Sequence, residues 1–538
     1  MTTTMTLNRI DFRPFDAELK LRAQTWTQSA VFARENPRGI AVYAAQGDRT
    51  FLQLHENANR LANALRARGC SQGDAAALLC RNRAEFLEVF LAAMRIGLRL
   101  TPINTHLNAG EVAYILANCE AKVFFVEAEL LQMQEGEIAD GNASPALPAL
   151  TVAIDGDAAQ GIDYRTFLAS GDKADPTRIS LGTLMLYTSG TTGQPKGVVR
   201  DMAEPIEAQY AGSFADYDPA RDVSLCCGPA YHAAPLLFDV RWPLASGVPI
   251  VMLEKWDTLR VLELIDTHGV THMHMVTTMF QRLLAFPPSL RNERNMSSLR
   301  FLVHGAAPCP VAVKRAMIDW LGPVLIEYYG ATEGGDGIHI KSEDWLRKPG
   351  AVGRMDPALG HTILDDDMRE VPSGCVGRIY FKAPEHGRFA YFGDAEKTAS
   401  AYAGDRFTLG DMGYVDAEGY LFLTGRIAEC IISGGVNIYP QEIDDVLLSH
   451  PAIRDVCTVG VPDDEWGEQV VSLIVLKDDQ RGSDALASEI LAYAAAKLAS
   501  FKRPRRILFE RELPRSATGK LLRQQVRERF WANRERSI

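Results

Sequence analysis

Within the first 130 residues short apolar runs alternate with helical repeats, and that alternation restricts the fold more than any other feature. Leu54, Ala58, Leu61, Ala62 and Leu65 recur at helical spacing and stop at Gly69, a residue suited to the turn that closes a helix. The run AAALLC (75–80) follows. Phe86, Leu87, Phe90, Leu91 and Met94 mark a second helix ending at Gly97, and VFFVE (123–127) reads as another buried strand. Strands and helices in this order predict an α/β fold, a largely parallel sheet with helices on its faces. Ligands of such sheets sit on loops at the carboxyl ends of strands.

The chain of 538 residues is several times the ~150 of one average domain, so subdomains are expected. Residues 132–180 lose the rhythm, collect Gly, Asp, Ala and Pro, and read as a surface excursion. Patterning returns at LGTLMLY (181–187) and continues to Arg426. Then come a helix (QEIDDVLLSH), two strands (DVCTVGV, QVVSLIVL) and a helix (SDALASEILAYAAAKLA), a set of about 110 residues able to close its own core. The expected layout is a large N-terminal domain of βα-layered subdomains, 1–427, and a small α+β domain, 428–538.

Asp and Glu number 68 against 57 Lys and Arg, a net charge of -11 that argues against a nucleic-acid partner. The balance is uneven: residues 501–538 hold twelve Lys or Arg against four Asp or Glu. Nine scattered cysteines with no C-x-x-C pair read as reduced thiols. The start has no apolar core of signal length and no run is long enough to span a bilayer, so a cytoplasmic protein is expected.

The richest stretch is LMLYTSGTTGQPKGVV, 184–199. An apolar strand runs into Thr188, Ser189, Gly190, Thr191, Thr192 and Gly193, then Lys196. Glycines let several backbone N–H groups face one concavity, the hydroxyls add donors and the lysine adds charge, which together suit anionic oxygens. Gly197 follows the lysine where a P-loop has Ser or Thr, so P-loop kinases and NTPases do not fit. Further on stand HGAAPCP (304–310), EYYGATE (327–333), FTLGDMGYVDAEGYLFLTGR (407–426), SGGVNIYP (433–440) and LPRSATGKLLR (513–523). The fourth of these has Val436 after its two glycines.

With these motifs in order over nearly the whole chain, the sequence resembles the adenylate-forming superfamily of acyl-CoA synthetases, luciferases and nonribosomal adenylation domains. The resemblance implies an ATP-dependent acid–CoA ligase with a mobile C-terminal lid. Carboxylate and ATP give acyl-AMP and pyrophosphate, and coenzyme A then takes the acyl group. It assigns adenine to Gly305, Ala306, Ala307, Glu327, Tyr328 and Tyr329, the α-phosphate to Thr332, Mg²⁺ to Glu333, and ribose to Asp411 and Arg426. Lys520 would stabilise charge developing during adenylation, which makes Lys520, Thr332 and Glu333 the catalytic set. Gly434, Gly435 and Val436 would meet coenzyme A, and Ala428 stands at the hinge position, where relatives have Asp or Lys.

The resemblance would put His232 in PAYHAAP at the mouth of the acyl pocket, with Met275, Val276, Thr277 and Thr278 lining it and Gly330 and Ala331 opposite. Ala233 replaces the aspartate by which amino-acid-activating relatives hold an ammonium, so a neutral hydrophobic acid is expected, a medium- or long-chain fatty acid or a related one. An aryl, alicyclic or steroid-side-chain acid is the alternative. So is a carrier protein as acceptor, and, outside enzymes, a nucleotide-binding regulator. His268, His272 and His274 cluster in THGVTHMHMV, but no third ligand follows from their spacing and zinc is not expected. Peripheral membrane contact and a homodimer stay open.

Overall fold

A computed structural model describes residues 18–19, 22, 26–132, 147–156, 161–177, 181–188, 195–200, 215–434, 436–477, 480–516 and 519–532. The chain forms two compact units: Met1–Met275 with Ala285–Val303 and Pro384–Ala399, and Val276–Leu284 with His304–Ala383 and Ser400–Ile538. Among the described residues no helix is long and apolar enough to cross a membrane.

In the first unit a six-stranded sheet runs Ile162–Asp163, Leu150–Ile154, Ala121–Glu127, Ala75–Leu79, Arg99–Ile103, Thr183–Leu184, every neighbour parallel. The helix Phe51–Ala67 packs on it and begins in a reciprocal cap. Thr50 Oγ1 accepts from Gln53 N at 3.1 Å while Gln53 Oε1 accepts from Thr50 N at 2.9 Å, which satisfies two amides that a helix start leaves open. The helix Ala84–Arg95 follows, buried along its whole length. Residues 132–180 are corrected here: Leu150–Ile154 is a buried parallel strand, and Phe167 on the helix Tyr164–Ala169 is buried in the same core. Five apolar-leaning residues between polar flanks are too short a signal to stand out in sequence, and the sheet supplies what local pattern lacks.

A second sheet of this unit places His272–Met275, Ser224–Cys226, Ile250–Met252 and Ile40–Ala44 side by side in parallel. Asn82 ties the two layers. Its Nδ2 donates to Gly228 O at 2.7 Å and Leu253 O at 3.0 Å, and its Oδ1 accepts from Ala230 N at 2.8 Å. A fully satisfied buried amide of this kind fixes the loop that carries His232.

The second unit contains the hairpin Leu325–Ala331/Gly334–Lys341 and an antiparallel sheet in which Arg406–Val415 pairs Tyr420–Arg426. Its C-terminal part is a five-stranded sheet built on the hairpin Ile453–Asp463/Gly467–Leu476, backed by Pro440–Leu448 and Asp484–Ala495. Arg506–Glu510 joins that sheet parallel to Gly467–Leu476, and Arg523–Trp531 forms a last helix. The architecture is α/β, with a large N-terminal domain and a smaller C-terminal one.

Candidate active site

Each motif sits where backbone geometry presents it. In the first unit, Leu186–Thr188 and Lys196–Arg200 are antiparallel neighbours with Lys196 opposite Thr188. The two ends of the Gly/Thr loop are thereby held together. Ser189, Gly190, Thr191, Thr192 and Gly193 lie outside the described residues. Lys196 Nζ meets Asp394 Oδ2 at 2.8 Å, a contact that raises the lysine's pKa and lowers the carboxyl's. Asp394 also receives Lys397 N at 3.0 Å on its other oxygen. Sequence reasoning missed Asp394, although an aspartate at the start of the helix Ala395–Ser400 is a recognisable cap.

His232, in the same unit, precedes the short helix Ala233–Pro235, with the Tyr231 ring 4.7 Å away. Its Nε2 is buried without a hydrogen-bond partner among the described residues, and burial pushes its pKa down to about 4. His272 and His274 alternate with Met273 and Met275 along a strand. Both ring nitrogens of His272 are engaged, by Thr271 Oγ1 at 2.8 Å and Ala215 O at 2.9 Å.

In the second unit, Ala331 pairs Gly334, so Thr332 and Glu333 form the two-residue tip of a hairpin. Gly305 packs on Tyr328: a Cβ at 305 would lie 2.5 Å from Tyr328 Cε1 and 2.6 Å from its carbonyl, which only glycine allows. Ala306 has a φ of 63°, the left-handed region that costs a residue with a side chain. Tyr329 donates to Asp411 Oδ2 at 2.7 Å, and Arg426 Nε donates to Asp411 Oδ1 at 2.9 Å. Asp411 and Arg426, fifteen apart in sequence, are direct cross-strand partners. Glu327, expected at the adenine, has its side chain engaged elsewhere. That side chain is buried on Lys314 Nζ at 2.6 Å, and burial raises its pKa. The backbone of 327 remains the start of the tyrosine segment.

Val276 and Thr277 are buried in this unit, and Thr277 Oγ1 donates to Pro308 O at 3.0 Å, beside Ala307. Gly330 is half-buried and Ala331 exposed on the strand before the hairpin tip. Ala428 is exposed in the turn Ile427–Glu429. Gly434 (φ 56°) donates to Trp466 O at 2.8 Å and Val436 is 42% exposed. Gly435 lies outside the described residues.

Lys520 is drawn into this unit. Withdrawal from water, and next the charge of Arg426, push its pKa below the usual lysine value, while Glu429, Asp411 and Glu333 pull it back. Its neighbour Gly519 (φ 75°) touches the start of the helix Thr277–Ala285, where an added Cβ would fall 2.2 Å from Thr278 Oγ1. The basic tail is expected to surround Lys520 and face the phosphates of ATP or coenzyme A, and four of its cations have partners elsewhere. Arg515 pairs with Asp455, Arg523 with Asp444 and Glu429, Arg527 with Glu468 and Lys502 with Glu442. These four cations are paired with carboxylates within the C-terminal part.

The family model of AMP-binding enzymes matches residues 30–388, and that of the AMP-binding enzyme C-terminal domain matches 442–520. The chain belongs to the AMP-binding enzyme family and is an AMP-forming acid–thiol ligase. It is 30% identical over 531 residues to the fatty acid–[acyl-carrier-protein] ligase ScoC of Streptomyces coeruleorubidus, covering 96% of this chain and 98% of that one. Identity to the indoleacetate–CoA ligase of Aromatoleum aromaticum is 32% over 499 residues, 91% and 95% of the two chains. Among solved structures, the anthranilate CoA ligase AuaEII in complex with anthranoyl-AMP superposes with a TM-score of 0.81 at 25% identity, over 94% of this chain and 97% of that one.

Proposed function

We propose that the protein joins a neutral, hydrophobic carboxylic acid to coenzyme A in two steps. Acid carboxylate attacks the α-phosphorus of ATP, pyrophosphate leaves, and the thiol of coenzyme A then displaces AMP from the acyl-adenylate. No side-chain nucleophile is required, so the protein contributes positioning and charge. The observation that carries this reading is the gathering of Lys520 with Arg426, Asp411 and Glu333 in one unit, because these groups match what attack on an α-phosphate needs. Glu333, a single carboxylate on a hairpin tip, suits Mg²⁺, which takes one or two carboxylates plus phosphate oxygens and would neutralise phosphate charge there.

The acid side supports a neutral acyl body. Ala233 offers no charge to an ammonium, and His232 is held neutral at pH 7 by burial. A medium- or long-chain fatty acid is the first expectation, and an aryl acid of the indoleacetate or anthranilate kind the second, since relatives of both kinds occur. The similarity to ScoC favours one further reading, transfer to a carrier-protein thiol. Acid-dependent pyrophosphate release across a panel of fatty and aryl acids tests the first step. Adding coenzyme A, or a phosphopantetheinylated carrier, then shows which thiol gains the acyl group. Release without dependence on any acid would sink the proposal.

A further inference from the structure

Lys520 stands in a loop that is held from both sides by arginines to which no role has yet been given. Leading into it, Arg515 donates from Nη1 to Gly519 O at 2.7 Å, the carbonyl adjoining Lys520. Its Nη2 meets both oxygens of Asp455, at 2.7 and 2.6 Å. The backbone closes the same turn: Ser516 N donates to Lys520 O at 2.8 Å, Leu522 N to Pro514 O at 2.9 Å, and Lys520 N to Ser516 Oγ at 3.1 Å. On the far side Arg523 is buried, with Thr458 O at 2.6 Å, Asp444 Oδ2 at 2.8 Å and Glu429 Oε2 at 3.1 Å. A lysine at the end of a basic tail is ordinarily mobile, and a mobile ammonium gives little preference to a transition state over a ground state. Here Asp455, on the strand Ile453–Asp463, orients a guanidinium whose fork spans a carboxylate and the Gly519 carbonyl together.

We infer that Arg515, oriented by Asp455, is a positioning residue for adenylation, bracing the Gly519 carbonyl so that Lys520 is presented in one place. The inference rests on the acid-activating reading above. Lysine at 515 can pair with Asp455 but lacks the fork needed to reach Gly519 as well.

The test uses the full chain and two separate assays: acid-dependent pyrophosphate exchange, and thioester formation from supplied acyl-AMP. Arg515→Met is expected to lower kcat of the exchange about 10- to 100-fold, the scale of a small displacement of a catalytic group, with KM for ATP and the thioester step within about threefold. Arg515→Lys should recover only part. Asp455→Asn should show the same split, and adding it to Arg515→Met should cost little more, because both remove one interaction. If Arg515→Met fails to fold, Asp455→Asn and Arg515→Lys carry the test. Equal loss of both half-reactions with a lowered Tm, or no loss in either, would overturn the brace. A wild-type chain inactive with every acid would overturn the acid-activating reading and the brace with it. An active wild type, a slow Lys520→Ala and an unimpaired Arg515→Met would remove the brace alone.

Discussion

Between Leu325 and Arg426 buried charges meet partners on both sides, whereas Asp239 is buried with one carboxylate oxygen unmatched among the described residues. In the first region Asp411 shares its two oxygens between Tyr329 and Arg426, and Glu327 holds Lys314. In the second, Asp239 lies on a π-turn, 1% exposed, with Oδ1 on His274 N at 2.8 Å and Oδ2 without a hydrogen bond among the described residues. Burial raises the Asp239 pKa well above the carboxylate range and presses His272 to about 4 and His274 to about 3. One region pairs each buried charge with an opposite or donating group. In the other, burial opposes the charged forms of Asp239, His272 and His274.

The contrast can be tested hardest at Lys520. Lys520→Ala should slow adenylation by at least ~100-fold, while thioester formation from acyl-AMP survives. Since the pKa of this lysine is lowered, the wild-type rate of adenylation should fall on the alkaline side at a pH below that of a free lysine. Equal damage to both steps would remove the lysine from the charged region's chemistry. Asp411→Asn keeps the shape but not the charge of the group between Tyr329 and Arg426. KM for ATP is expected to rise about tenfold, the cost of weakening one charge-assisted hydrogen bond, and an unchanged KM in steady-state kinetics would detach this pair from the nucleotide.

The second region is probed by Asp239→Asn. A carboxyl whose folded pKa is raised contributes stability below its unfolded pKa and loses it as pH rises through the folded value. The variant cannot titrate, so its stability relative to wild type should grow with pH in urea melts run from pH 4 to 8. The histidines act in the opposite sense. Their folded pKa values lie below 6.5, so the stability they permit is complete above pH 6.5 and is lost toward pH 4. The smallest effect belongs to Ala306→Gly. Release of the left-handed alanine, set against the extra freedom of glycine when unfolded, should leave a gain of about 0.5 kcal/mol in denaturant unfolding.

What the sequence shows of this molecule is what short range determines. The helix stop at Gly69 and the strands AAALLC and VFFVE follow from patterns within twenty residues, whereas the cap at Thr50 and the cross-strand pairing of Asp411 with Arg426 come from the structure. Asp394 escaped because its partner, Lys196, is 198 residues away, and no local pattern selects one carboxylate among 68. The pairing of Lys314 with Glu327 escaped for a related reason: only packing turns both side chains inward. The arginines of the tail looked like a free positive field because their acceptors, Asp444, Asp455 and Glu468, lie on strands and a helix formed earlier in the chain.

Pairing of Phe389–Tyr391 with Lys196–Arg200 has a consequence for how the molecule is made. During synthesis the loop lysine leaves the ribosome long before this strand and Asp394, so the nascent first unit carries an open sheet edge and an uncompensated ammonium for much of translation. Such an edge invites pairing with other chains. The segment Pro384–Ala399 therefore works as a late seal, and a chain interrupted before it would emerge with that edge still unclaimed.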